Sequence, residues 1–214
     1  MSRAIAIMGE SGSGKTTAMR TLNPEETYYI DCDGKGLSWK GWREQYNAEK
    51  KNYLRTDKQD DVLAVMRGIS EKRPNIKNIV IDTINSIMIA DERRRQAEKN
   101  YDKWADLAWA VYDITLLSSR LRDDLNIIVL AHTQTEVDDT TGERFTRILT
   151  NGKKLNKIGL EKYFTTVLLA KKGAEGFVFE TQANKSTAKT PMDAFEAVEI
   201  PNDMQAVLDV LAEF

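Results

Sequence analysis

The chain has 214 residues, with 31 Lys and Arg against 33 Asp and Glu and a formal net charge of −2. That balance excludes a polycation, so any contact with nucleic acid has to come from a local basic patch. A single cysteine, Cys32, excludes an intrachain disulfide and suits a reducing compartment, a single histidine argues against a His-based zinc site, and no run of about 18 apolar residues offers a membrane span.

Arg3-Ala4-Ile5-Ala6-Ile7-Met8 reads as a short buried strand. It is too short for the apolar core of a signal peptide and ends in Gly9-Glu10. A glycine-rich turn follows, then a short helix from Thr16 that Asn23-Pro24 stops. Further strands are expected near 27–32, 78–82, 126–131, 164–170 and 177–182. Helices are expected near 15–22, 59–70, 86–98, 104–124, 153–162 and 203–213. Alternating strand and helix over the first 131 residues predicts an α/β fold, a mostly parallel sheet with helices on both faces. Lys172-Gly173-Ala174-Glu175-Gly176 predicts a hairpin turn, hence an antiparallel C-terminal edge. Pro201-Asn202-Asp203 should cap the final amphipathic helix. Segment 34–57, with Leu37, Trp39 and Trp42 among glycines, reads as an ordered connection, and the polar segment 135–152 as an exposed, mobile loop. No internal repeat or linker divides the chain, so residues 1–214 are expected to form one domain.

Gly9-Glu10-Ser11-Gly12-Ser13-Gly14-Lys15-Thr16 fits G-x-x-x-x-G-K-[ST] at every fixed position, between a predicted strand and a predicted helix. Such a loop, with Thr17, folds its backbone N–H groups around a nucleoside triphosphate. Lys15 reaches the terminal phosphates and acts in catalysis, and the Thr16 hydroxyl serves Mg²⁺. Asn78-Ile79-Val80-Ile81-Asp82-Thr83 is an apolar strand ending in the acid expected to hold the metal's water shell. Thr83 is not acidic, so the carboxylate that orients an attacking water has to lie elsewhere. Tyr28-Tyr29-Ile30-Asp31-Cys32-Asp33 offers two candidates, which strand alternation places on one side. Asp33, nearer the C-terminal end of that strand and the ligand crevice, is expected to be the base.

Together these motifs resemble the RecA-like branch of P-loop ATPases. Ile79-Val80-Ile81-Asp82-Thr83 is similar to that branch's second motif, and Ile30-Asp31-Cys32-Asp33 to the strand carrying its catalytic glutamate, here one methylene shorter. Ile128-Val129-Leu130-Ala131-His132-Thr133-Gln134 is similar to the strand ending in a polar γ-phosphate sensor, which nominates His132, Thr133 or Gln134. The stretch Asp33 to Trp42 resembles small phage-encoded RecA-like ATPases, including Sak-type single-strand annealing proteins. The resemblance implies ATP and Mg²⁺, ring or filament assembly with the active site between subunits, and work on phage DNA in the bacterial cytoplasm. It leaves room for a phage single-strand binding protein as a further partner.

Between Arg144 and Lys172 lie Arg144, Arg147, Lys153, Lys154, Lys157, Lys162, Lys171 and Lys172 against one acid, Glu161. This is the local patch that the net charge demands. In RecA-like chains the loop after the sensor strand binds single-stranded DNA, which here nominates Arg144, Arg147, Lys153, Lys154 and Lys157, with Phe145 for stacking. The same resemblance nominates Lys185 and Lys189 as lysines acting in trans on a neighbour's γ-phosphate. Three functions fit: an ATPase acting on single-stranded DNA, a small-molecule kinase with 135–157 as a lid, and a non-catalytic, ATP-dependent assembly protein.

Overall fold

A computed structural model describes the chain except residues 99–101, 138–139 and 151–158. Its frame is an eight-stranded sheet. The strands are β1 (Arg3–Met8), β2 (Thr27–Asp31), β3 (Tyr53–Arg55), β4 (Asn78–Asp82) and β5 (Asn126–Ala131), then β8 (Thr166–Lys172), β9 (Phe177–Glu180) and β10 (Glu199–Pro201). Their order across the sheet is β10-β9-β8-β1-β5-β4-β2-β3. The six strands from β8 to β3 are parallel, and β9 and β10 add an antiparallel edge.

The central strands are apolar on both faces, as parallel strands covered by helices must be. Along β1, Ala4, Ala6 and Met8 enter one core while Ile5 and Ile7 enter the other, and β5 divides Ile127 and Val129 from Ile128 and Leu130 in the same way. One face is covered by α3 (Gln59–Lys72), α4 (Ile84–Arg94) and α5 (Asp102–Leu117). The other carries α1 (Lys15–Ala18), which runs on as a 3₁₀ turn over Met19–Thr21, together with α6 (Met204–Leu211). Asp203 caps α6 as expected, accepting from the Ala206 N–H at 3.0 Å. Segment 34–57 is ordered around the short helix α2 (Trp42–Gln45) and ends in β3. Trp39, Tyr46 and Tyr29 meet edge to face there, with centroids 5.6–6.5 Å apart.

The structure corrects the reading of 135–152. An antiparallel arm stands in place of much of the expected loop, formed by β6 (Thr133–Val137) and β7 (Arg144–Ile148). It starts one residue after β5 and is tied back to the body where Thr146 N donates to Lys185 O at 2.8 Å and Thr187 N to Thr146 O at 2.9 Å. The helix expected at 153–162 falls partly outside the described residues, and Leu160–Tyr163 is a 3₁₀ turn. β5 separates β1 from β4, so the glycine loop and Asp82 flank the C-terminal end of β5. That is the crevice in which open parallel sheets hold ligands.

Candidate functional site

The glycine loop leaves the C-terminal end of β1 and is shaped by what surrounds it. A Cβ at Gly9 would come within 2.6 Å of the Ala170 carbonyl of β8, so only glycine lets the loop turn beside that strand. Gly14 has φ +95°, and a Cβ there would strike the Phe177 ring at 2.7 Å. The loop opens into a cavity of about 330 Å³ walled by Ser11 to Thr17 together with Lys35, Ser38, His132 and Phe177.

Lys15 is only 6% exposed, and its ammonium donates to the carbonyls of Gly9 and Glu10 at 2.7 and 2.8 Å. Burial lowers its pKa to about 8, against the opposing pull of Asp82 and with Lys35 adding to the depression. Thr16 Oγ1 donates to Asp82 Oδ2 at 2.7 Å, and the Tyr29 hydroxyl donates to the same oxygen at 2.6 Å. Asp82 is 2% exposed, and burial holds its carboxyl above the usual range in spite of those two hydrogen bonds. Its second oxygen, Oδ1, is buried with no hydrogen-bond partner.

A buried carboxylate oxygen left without a donor is costly unless something positive or protic meets it. Oxygen donors, an acid and a hydroxyl, are what Mg²⁺ takes. No cluster of three or more His, Cys, Asp or Glu suited to a metal occurs among the described residues. Thr16 and Asp82 therefore fit a cation shared with a phosphate chain rather than one caged by protein alone.

Asp31 and Asp33 have different surroundings. β2 ends at Asp31, whose buried carboxylate accepts from Gly34 N and Gly36 N, both at 2.8 Å, and from the Tyr53 hydroxyl at 2.7 Å. Asp31 pins the following loop. The strand alternation that grouped the two acids does not reach Asp33, because the chain has already turned. Asp33 Oδ1 accepts from Thr83 N at 3.1 Å, Thr83 Oγ1 at 2.8 Å and Ser86 Oγ at 2.6 Å, and Oδ2 pairs with Lys35. Burial would raise the Asp33 pKa, but hydrogen bonds from Lys35, Ser86 and Thr83 prevail and bring it to about 2. Asp33 and Ser86 line a separate cavity of about 510 Å³ with Asp57, Arg93 and Arg94.

Of the three sensor candidates, His132 lies on the wall of the phosphate cavity, and burial, then the Lys15 charge, lowers its pKa. Thr133 lies beside Glu10 and Ser13 in an adjoining pocket. Gln134 points its amide along its own strand, to Glu136 Oε1 at 2.6 Å, and does not line the phosphate cavity. Sequence reading passed over Asn85, which ties this region together. It is 2% exposed; its side chain accepts from His132 N at 2.7 Å and donates to Leu149 O at 2.8 Å. Both roots of the β6–β7 arm thus hang on the start of α4, directly after Asp82-Thr83. Asn85→Ala leaves a buried donor and an acceptor unmet, so we expect a loss of roughly 2–4 kcal/mol, measured by urea unfolding.

The proposed DNA-binding residues divide. Arg144 is exposed near the tip of the arm, opposite Val137. Arg147 corrects the sequence reading: its guanidinium is held by Glu136 at 3.2 Å and Glu161 at 3.3 Å, so its charge is spent inside the protein. Lys171 is likewise taken up by Glu180 and Glu199. Lys153, Lys154 and Lys157 lie outside the described residues. Neither Lys185 nor Lys189 lines the phosphate cavity of its own chain. Lys185 is exposed with φ +54°, and Lys189 pairs through its backbone with Val167.

The family described as AAA domain matches residues 1–193. No curated protein matches the sequence. Among solved structures, the P4 protein from bacteriophage phi6 in complex with ADP is similar, with a TM-score of 0.43 and 14% identity. The match covers 85% of this chain and 58% of that one.

Proposed function

We propose that this chain, which belongs to the AAA domain family, binds Mg²⁺-ATP in the Gly9–Thr17 loop and hydrolyses it. The observation that carries the reading is convergence. Lys15 and Thr16 wall one cavity, Thr16 is bonded to an Asp82 that keeps one buried oxygen unpartnered, and a fixed carboxylate, Asp33, lines the next cavity and is joined to this one through Lys35.

In this mechanism Lys15 turns from the loop carbonyls to the β- and γ-phosphate oxygens. Thr16 and Asp82 are the residues that would hold Mg²⁺, which when bound would neutralise phosphate charge. Asp33 orients the attacking water through Oδ2, the oxygen not taken by Thr83 and Ser86. Neutral His132 faces the terminal phosphate as a hydrogen-bond donor. Ser38 and Phe177 complete the wall of the cavity, Phe177 packed against Gly14 and Ser38 hydrogen-bonded to Thr17.

The finer reading is that ATP turnover is coupled to single-stranded DNA and to homo-oligomer assembly, as in phage recombination or annealing. Its support is mechanical. The β6–β7 arm grows out of β5 one residue beyond His132, carries exposed Arg144 with Phe145, and is bonded to the segment that bears Lys185. A nucleic acid on the arm would press on the sensor residue and on the segment that bears Lys185, the lysine proposed to act in trans. We expect single-stranded oligonucleotide to raise ATP turnover at least several-fold and ATP-Mg²⁺ to shift the protein to a larger species on sizing. Turnover indifferent to the oligonucleotide, with no binding at low salt, would leave an ATPase without a DNA role.

A further inference from the structure

Lys35 is a cation that neither motif accounts for. It stands in the loop after β2, and it touches both halves of the site. Its ammonium is paired with Asp33 Oδ2, and its side chain, 55% exposed, forms part of the wall of the phosphate cavity with Gly12, Lys15 and Thr17. Its charge reaches Lys15 and His132, where it adds to burial in lowering both.

The backbone that carries it is fixed. Gly34 N and Gly36 N, on either side, both donate to the buried carboxylate of Asp31. Asp33 is fixed too, since Oδ1 accepts three hydrogen bonds from Thr83 and Ser86. What remains free to move is the four-carbon stem of Lys35. Asp33 has one oxygen left with which to hold a water, and Lys35 covers it.

We infer that Lys35 is a positioning residue that gates Asp33 according to the terminal phosphate. The inference rests on the triphosphate reading of the Gly9–Thr17 loop. Two anions compete for one ammonium: a carboxylate already compensated by three donors, and a γ-phosphate with about two negative charges in a partly desolvated cavity. With a triphosphate bound, the ammonium moves to the γ-phosphate and Oδ2 is uncovered to accept a hydrogen bond from water. With a diphosphate there is no γ-phosphate to draw it, and Asp33 stays covered. The site thus senses the nucleotide and arms its water-orienting group with one side-chain movement.

Binding of ADP and of a non-hydrolysable ATP analogue to wild type, Lys35→Ala, Lys35→Met and Lys35→Arg, measured by calorimetry with Mg²⁺, tests this. Lys35→Ala and Lys35→Met should weaken the triphosphate about tenfold, the scale of one charge-assisted hydrogen bond, and leave ADP unchanged. Lys35→Arg should restore the preference. Equal weakening of both nucleotides, or no change in either, overturns the gate. Wild-type protein that binds neither nucleotide would instead sink the triphosphate reading itself, so the two failures are told apart by the wild-type measurement.

Discussion

Lys15→Ala should abolish measurable ATP binding, by at least about 100-fold in affinity, while the protein still folds. The ammonium is buried at the base of the loop, where a phosphate oxygen would meet little competing water. One or two charge-assisted hydrogen bonds at ~1.5–3 kcal/mol each account for a loss of that size. The fold should tolerate the change because Lys15 contributes little to it. Burial works against its charge, as its lowered pKa records, and its partners are two loop carbonyls, one of them only partly buried. Thermal unfolding with and without ligand separates the two effects. At a ligand concentration 100 times Kd, wild type gains about 2.7 kcal/mol, roughly 5–10 °C for a domain of this size. Lys15→Ala should melt near the wild-type temperature without nucleotide and gain nothing from the same concentration. Equal stabilisation of wild type and variant by ATP would place the nucleotide elsewhere.

What the sequence disclosed follows from how local each determinant is. The central strands could be found because a strand buried on both faces has to be a continuous apolar run bounded by turn residues, as Ile79–Ile81 and Ile127–Leu130 are. The glycine loop could be found because its pattern is contiguous in the sequence, although what Gly9 and Gly14 avoid, the Ala170 carbonyl and the Phe177 ring, lies far along the chain. The β6–β7 arm escaped because neither strand buries an apolar face along its length. Thr133–Val137 and Arg144–Ile148 are held by each other and by the backbone of 185–187, pairings that no periodicity announces. Arg147 was counted as a free charge because its partners, Glu136 and Glu161, lie 11 and 14 residues away. The roles of Asn85, Tyr29 and Lys35 share this character. Each is an unremarkable residue in sequence that becomes part of the site only when three strand ends are brought together. Asp31 and Asp33 could not be told apart by alternation, because the carboxylate of the first itself ends the strand by capping Gly34 and Gly36.

Asp33→Asn is the substitution that should separate chemistry from binding. The amide oxygen can take the place of Oδ1 and keep the hydrogen bonds from Thr83 and Ser86, so the side chain stays where it is. The amide nitrogen replaces Oδ2 and can no longer accept from water or pair with Lys35. We expect turnover to fall about 10²–10³-fold, within the range attributed to a positioned general base, with ATP affinity unchanged or slightly higher because Lys35 loses its competing anion. The pH profile adds a second check. With its pKa brought down to about 2 in the free protein, where Lys35 covers it, Asp33 is ionised throughout the range in which an enzyme is assayed, so wild-type kcat/KM should show no acid limb from this group above about pH 4. The sign for stability is the same: a depressed carboxyl pKa gives its full contribution above the unfolded value near 3.8 and loses it as pH falls toward 2. Turnover by Asp33→Asn within a few-fold of wild type would remove Asp33 from the mechanism and move the search for the water-orienting group to His132 and to residues supplied by a neighbouring subunit.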